Sequence, residues 1–204
     1  MRPQRHVVVF LKAPRLGQVK SRLAAGIGWE AATRFHRTQA QRLIRALARD
    51  PRWRTTLWLT PRDALGHRDL PRIGLSRFDQ GAGDLGQRMA RPFRLLPRGA
   101  VVLMGSDVPD LTSGIVSRAF HLLGSHDAVF GPAQDGGYWL VGFSGAARRR
   151  PLFGDVRWST RHALADTLAG LQRMRVALLP PLMDIDTPED YRRWRSKHAR
   201  SRSR

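Results

Sequence analysis

Asp107 stands where an acid can do chemistry. It closes the run Val101-Val102-Leu103-Met104-Gly105-Ser106-Asp107-Val108-Pro109, in which an apolar stretch of strand length ends in two small residues, a carboxylate and, two residues on, a proline. Such a run reads as a buried strand delivering its acid to the carboxyl edge of a sheet, where open α/β sheets bind ligands. A carboxylate placed there can hold a divalent cation over a phosphate. A plainer role also fits: Asp107 and Asp110 can end the strand and, with Thr112 and Ser113, cap the next helix. A metal site needs a second acid from a distant segment, and Met183-Asp184-Ile185-Asp186-Thr187-Pro188-Glu189-Asp190 offers one. Thr187 as cap, Pro188 at the first helical position and acids in the first turn make a helix start. That start leaves Asp184 and Asp186 unexplained.

Cations gather in Lys12-Ala13-Pro14-Arg15-Leu16-Gly17-Gln18-Val19-Lys20-Ser21-Arg22, just after an apolar run. A helix N-terminus attracts anions through its free N–H groups, and Lys and Arg add charge, so the segment suits phosphate. It reads equally as a solvated basic loop. It is not a P-loop, because the Gly-x-x-x-x-Gly-Lys-Ser/Thr pattern is absent. In Gln80-Gly81-Ala82-Gly83-Asp84-Leu85-Gly86-Gln87-Arg88 the glycines allow close backbone approach to a ligand, and the Gln80 amide can read a base edge. Asp84 is also a good helix N-cap, with Arg88 placed to pair with it. Asp135-Gly136-Gly137 between β-like runs is a hairpin turn, with Tyr138 and Trp139 immediately after it. No His-Glu-x-x-His or Gly-x-Ser-x-Gly pattern occurs among the remaining residues.

These segments need strands and helices to position them, and the two alternate along the chain. Strands are expected at His6–Lys12, Arg54–Thr60, Ala100–Gly105, Ala128–Phe130, Tyr138–Phe143 and Val176–Leu179, with a short one near Ile73–Phe78. Helices are expected at Trp29–Arg49, Leu85–Leu96, Ser113–Leu123, Arg161–Met174 and from Pro188 onward. The alternation implies an α/β fold: a mainly parallel sheet with helices on both faces.

The 204 residues, 42% hydrophobic, suit one domain with a full core, taken as residues 1–195. Cysteine is absent, which excludes disulfides, thiolate metal sites and cysteine nucleophiles. No stretch is long enough for a signal peptide or membrane span, so a cytoplasmic protein is expected. The net charge is +20, and only Lys12, Lys20 and Lys197 are lysines. So much positive charge favours acidic ligands and non-specific nucleic-acid binding. The arginines concentrate at Arg148–Arg150 and in the acid-free stretch from Arg192 onward, of which residues 196–204 are expected to form a disordered tail.

The ordered motifs resemble those of the DUF2064 family, also called transferase 1 of the radical-SAM/selenodomain-associated proteins. They are Lys12-x-Pro14-x-x-Gly17-x-x-Lys20-Ser21-Arg22-Leu23, Gly83-Asp84-Leu85-Gly86-x-Arg88-Met89, Gly105-Ser106-Asp107-x-Pro109-x-Leu111, Gly131-Pro132-x-x-Asp135-Gly136-Gly137-Tyr138, Trp158-Ser159-Thr160 and Asp186-Thr187-Pro188-Glu189-Asp190. The likeness runs from His6 to about Trp194. Ser21 stands where the family usually has threonine, which keeps the hydroxyl.

The resemblance implies a three-layer α/β/α sandwich of the GT-A type, in the nucleotide-diphospho-sugar transferase superfamily. It implies that Lys12, Pro14, Gly17, Lys20, Ser21, Arg22, Gln80, Gly83, Asp84 and Leu85 hold a nucleotide and its phosphates. Asp107 and Asp186 would bind Mg²⁺ or Mn²⁺, with Asp107 and Asp135 catalytic. Gly136, Gly137, Tyr138, Trp158, Ser159 and Thr160 would meet the substrate. The expected reaction transfers a group from a nucleotide-activated donor, a nucleotide sugar or a nucleoside triphosphate, to a small-molecule acceptor. The loop at Ala13–Gly17 lacks the glycine-rich form usual in nucleotidyltransferases, so glycosyl transfer is the favoured expectation and nucleotidyl transfer the alternative. A polyanion-binding protein with a vestigial site is the third reading.

Overall fold

A computed structural model describes residues 4–67, 69–71 and 73–200. Seven strands form one sheet: β1 (Arg5–Lys12), β2 (Arg54–Thr60), β3 (Arg77–Asp79), β4 (Ala100–Gly105), β5 (Ala128–Pro132), β6 (Tyr138–Phe143) and β7 (Val176–Leu178). Their order is β3-β2-β1-β4-β6-β5-β7. All neighbours run parallel except β6, which is antiparallel to both β4 and β5. The helices are α1 (Ser21–Ile27), α2 (Trp29–Ala48), α3 (Leu85–Leu95), α4 (Ser113–Leu122), α5 (Ala163–Ala169) and α6 (Pro188–Arg200).

Side chains alternate along each strand, and this splits the core into two layers. Val7, Val9 and Leu11 of β1 pack with Leu43, Ile44 and Leu47 of α2 and with Val116 and Phe120 of α4. Val8 faces the other side, with Met89 and Phe93 of α3 and Phe130, Val141 and Phe143 of the sheet. Each such buried side chain contributes about 1.5–3 kcal/mol. That offsets Pro92 inside α3, which costs about 3 kcal/mol in lost helix bonding. The expected α/β sandwich with helices on both faces is the observed architecture.

Some boundaries differ from expectation. The segment before Trp29 forms its own short helix, α1, separated from α2 by Gly28 at φ 83°. The helix expected over Arg161–Met174 shrinks to α5. Ser159 is left-handed at φ 61°, and the Thr160 hydroxyl accepts from His162 N, so a turn precedes it. Gly170 caps its end. The short edge strand lies at Arg77–Asp79, at the end of the expected region.

The disordered tail requires correction. Ser196–Arg200 continue α6, because Lys197 pairs with Asp110 at 2.6 Å and His198 with the same carboxylate at 3.2 Å. Residues 201–204 lie outside the described residues. No described helix is long and apolar enough to cross a membrane.

Candidate active site

β1 and β4 are parallel neighbours, with Phe10 opposite Gly105. The Lys12–Lys20 loop and Asp107 therefore leave the sheet side by side at one edge. The start of β6 reaches that edge too, because β6 runs opposite to β4; this brings in the turn Asp135–Gly137. The segment Asp184–Asp186 closes the site from the far end of the chain, fixed by Ile185, which is fully buried among Leu23, Ala24 and Ala32. Ile185 N also donates to the Asp107 carbonyl at 3.4 Å.

Asp107 lies between two cations. Its Oδ2 is 3.2 Å from Lys20 Nζ, and its Oδ1 is 2.9 Å from His36 Nδ1. The same Lys20 ammonium donates to Asp186 Oδ1 at 2.6 Å. The Lys20 side chain is 4% exposed, while those of Asp107 and Asp186 are 41% and 47% exposed. The lysine thus sits beneath two carboxylates that open upward. Lys20 adopts the left-handed region, φ 53°, at the N-cap of α1. A non-glycine residue holds such a backbone only where its surroundings demand it.

The protonation states follow from the contacts. Burial alone would lower Lys20, but the charges of Asp107 and Asp186 outweigh it and keep the ammonium charged. His36 is likewise lowered by burial and raised more by its hydrogen bond to Asp107 and the charge there. Its Nε2 faces the Lys12 carbonyl at 3.0 Å, so both ring nitrogens face acceptors and both carry hydrogen. Burial would raise Asp107, yet Lys20 and His36 hold it ionised, far below the usual carboxylate range. Asp184 goes the other way: burial first, then the charges of Asp186 and Asp135, push it up to about 6.

A cavity of about 450 Å³ opens above these groups. Of the residues expected to serve the site, it brings together Arg22, Leu85, Asp107, Asp135, Gly137, Tyr138, Trp158, Ser159, Thr160 and Asp186, and it adds Asp184. Asp135 accepts from Gly137 N at 2.9 Å, which orders the turn. Gly136, at φ 87°, has no room for a Cβ against the Arg161 carbonyl; it holds the turn and does not itself line the cavity. Trp158 lies against α3 because position 86 is glycine; a Cβ there would sit 2.6 Å from the indole. Burial keeps the Tyr138 hydroxyl protonated, with Thr167 Oγ1 at 3.5 Å.

Other expected residues do different work. Gln80 is buried: its amide donates to the Trp58 carbonyl at 2.9 Å and its Oε1 accepts from Arg88 at 3.2 Å. Its polar atoms are turned inward, away from any base edge. Asp84 forms a capping box with Gln87, accepting from Gln87 N at 2.7 Å, and Gly83 turns the chain into it at φ 105°. Arg88 reaches the Asp84 carbonyl, not its carboxylate. Pro14 is buried, while Lys12, Gly17 and Ser21 are exposed around the loop and do not line the cavity.

His36 was not among the expected site residues, though a signal existed. It occupies the buried stripe of α2 four residues from Ala32 and four from Ala40, where a polar side chain must find partners.

The donor set suits a hard divalent cation bound with a substrate. Among the described residues, no three acidic or histidine side chains cluster tightly enough to hold a metal alone. Two carboxylates do converge on one cationic atom, Lys20 Nζ. Mg²⁺ is commonly held by one or two carboxylates with phosphate oxygens completing its shell, and Asp107 with Asp186 fit that pattern.

A family model described as an uncharacterized protein conserved in bacteria, DUF2064, matches residues 43–160. The chain is 32% identical, with a TM-score of 0.81, to the crystal structure of a candidate nucleotide-diphospho-sugar transferase from Desulfovibrio desulfuricans G20; the match covers 90% of this chain and 82% of that one. It is 29% identical over 174 residues to the 2-phospho-L-lactate guanylyltransferase of Methanopyrus kandleri, covering 85% of this chain and 83% of the relative. It shares its fold, at 20% identity and a TM-score of 0.54, with the manganese complex of Rv0371c from Mycobacterium tuberculosis H37Rv, covering 93% of this chain and 97% of that one.

Proposed function

We propose, from the premise that this chain belongs to the DUF2064 family, that it is a nucleotidyltransferase acting on a nucleoside triphosphate and a small phosphate-bearing acceptor. The observation that carries the reading is the convergence of Asp107 and Asp186 on one cationic point beneath them, beside a cavity lined by both acids and Arg22. The guanylyltransferase relative, matched across most of both chains, supports nucleotidyl over glycosyl transfer. It outweighs the missing glycine-rich loop, whose task falls here to Lys20 and Arg22.

In this reading an acceptor oxygen attacks the α-phosphorus. One P–O bond forms, the α–β phosphoanhydride bond breaks, and pyrophosphate leaves. A divalent cation held by Asp107 and Asp186 would supply charge neutralisation at the phosphates. His36 keeps Asp107 ionised and fixes its orientation. Lys20 and Arg22 meet the phosphate charge, Arg22 with a forked donor set. Trp158 and Tyr138 wall the cavity, and Asp135 and Asp184 face the acceptor side.

The test offers each of the four ribonucleoside triphosphates with Mn²⁺ and a panel of small phosphorylated hydroxy acids, 2-phospho-L-lactate included. Pyrophosphate release that requires an acceptor supports the reading. Release of a nucleoside diphosphate from a nucleotide sugar, with no pyrophosphate from any triphosphate, overturns it. That outcome would establish glycosyl transfer instead.

A further inference from the structure

The point where Asp107 and Asp186 converge already holds a cation of the protein's own. Lys20 Nζ lies 3.2 Å from Asp107 Oδ2 and 2.6 Å from Asp186 Oδ1, its side chain almost wholly covered. With His36 hydrogen-bonded to the other Asp107 oxygen, both oxygens of that carboxylate have partners before any ligand arrives. A divalent ion seeking those same oxygens meets a competitor for them and a like charge within a few ångströms.

We infer that Lys20 bars free divalent metal from the Asp107–Asp186 pair, and that metal enters only together with a nucleoside triphosphate, whose phosphates draw the lysine ammonium away. The inference rests on the nucleotide reading above and deepens it: the true substrate is a metal–nucleotide complex. Three features carry it. The carboxylates remain about half open to the cavity while the lysine approaches from below, so an incoming complex meets them from the free side. The lysine stem has four rotatable carbons, so its head can turn toward a phosphate while the backbone at φ 53° stays in place. Among the described residues no third acidic or histidine side chain joins Asp107 and Asp186 in a metal-holding cluster, so phosphate oxygens must complete the metal's shell, and the ligand that releases the lysine also supplies the missing donors. Metal and nucleotide then bind with reciprocal positive coupling, and Lys20 is its source.

Direct metal binding tests this without reference to turnover. Mn²⁺ binding is followed by electron paramagnetic resonance and by quenching of indole fluorescence, since Trp139 and Trp158 line the cavity. The wild-type protein should bind free Mn²⁺ weakly. An α,β-methylene nucleoside triphosphate should strengthen the quenching, measured against a Mg²⁺ control. Lys20→Met should bind free Mn²⁺ about tenfold more tightly or better, the scale on which groups around a metal site act. Lys20→Arg, which keeps the charge, should behave as wild type.

A folded Lys20→Met protein with unchanged Mn²⁺ affinity overturns the inference. So does a wild-type protein that takes up Mn²⁺ equally well with and without the nucleotide, a comparison that stands even if Lys20→Met fails to fold. The Mn²⁺ gain in Lys20→Met needs no nucleotide chemistry. If Lys20→Met shows that gain while the wild-type protein releases no pyrophosphate from any triphosphate, the barring of free metal by Lys20 stands and the nucleotidyl reading falls.

Discussion

His36 bridges the ends of two adjacent strands: its Nδ1 lies 2.9 Å from Asp107 Oδ1 and its Nε2 lies 3.0 Å from the Lys12 carbonyl. One oxygen of Asp107 is thereby committed to the protein, and the other is left for a cation. The ring is 3% exposed, so neither nitrogen can fall back on water.

Replacing His36 with Asn should therefore act at two levels. Losing a buried, charge-assisted contact should cost about 1–3 kcal/mol of stability. Metal–nucleotide affinity should fall as well, because Asp107 is freed to rotate. Because the folded-state pKa of His36 is raised, its stabilisation is full below about 6.5, the usual histidine value, and fades as pH rises through the raised pKa. Melting temperature against pH, with nucleotide titrations at one pH, checks both. A variant that melts lower yet binds as tightly would reduce His36 to a structural role.

Asp107→Asn and Asp186→Asn should separate two kinds of loss. Both remove a metal ligand and should weaken Mn²⁺-dependent nucleotide binding about tenfold or more, by analogy with outer-shell partners. Asp107→Asn also strands two partners, Lys20 and His36, and should lower the melting temperature clearly more than Asp186→Asn, which deprives Lys20 alone. Calorimetric titration and thermal denaturation of the pair give the comparison; equal melting temperatures would contradict it.

Asp184 sets a slope of its own. Its folded-state value of about 6 lies above the ordinary carboxylate value, so the native state binds the extra proton. Stability should fall as pH rises from about 4 through 6, and the cost persists above that window. Asp184→Asn should flatten this slope and stabilise the protein at pH 7, on the order of 1 kcal/mol once solvent screening of the half-open group is allowed for. Denaturant midpoints at pH 4.5 and 7 measure it, and an unchanged slope would count against it.

Truncation before Ser196 should divide nucleic-acid binding from nucleotide binding. It removes Lys197, Arg200, Arg202 and Arg204, so retention on DNA or RNA should drop and the salt dependence should flatten by about 0.9 per lost phosphate contact. It also removes the Lys197 and His198 contacts to Asp110, so the melting temperature should fall modestly. Nucleotide affinity should survive, because the cavity residues all precede Pro188. A truncated protein that still binds a defined RNA tightly at physiological salt and no nucleotide would make polyanion binding its function.

The legible parts of this molecule were those written locally. Asp107 could be placed because an apolar run leads straight to it, and Asp186 because the Thr187 cap accounts for its neighbours but not for it. Contacts across long separations were not legible. His36 lies 71 residues from Asp107 and sits among arginines that hide the apolar stripe of α2. Gln80 and Asp84 carried the right residue types for ligand contact, but the nearest unsatisfied groups, the Trp58 carbonyl and the first N–H groups of α3, took their side chains first. Lys20 was expected to meet phosphates; its pairing with both acids depends on a left-handed backbone that lysine does not advertise.

Lys20 and Asp186 lie 166 residues apart, with Asp107 between them. The cavity is therefore assembled from the first, middle and last thirds of the chain and cannot exist in any partly folded fragment. A ligand that fits it binds the native state alone and shifts the unfolding equilibrium of the whole protein, by about 2.7 kcal/mol at a hundredfold excess over its Kd. Occupancy and global folding are one linked equilibrium here, so a cell's supply of that ligand would also set how much of this protein stays folded.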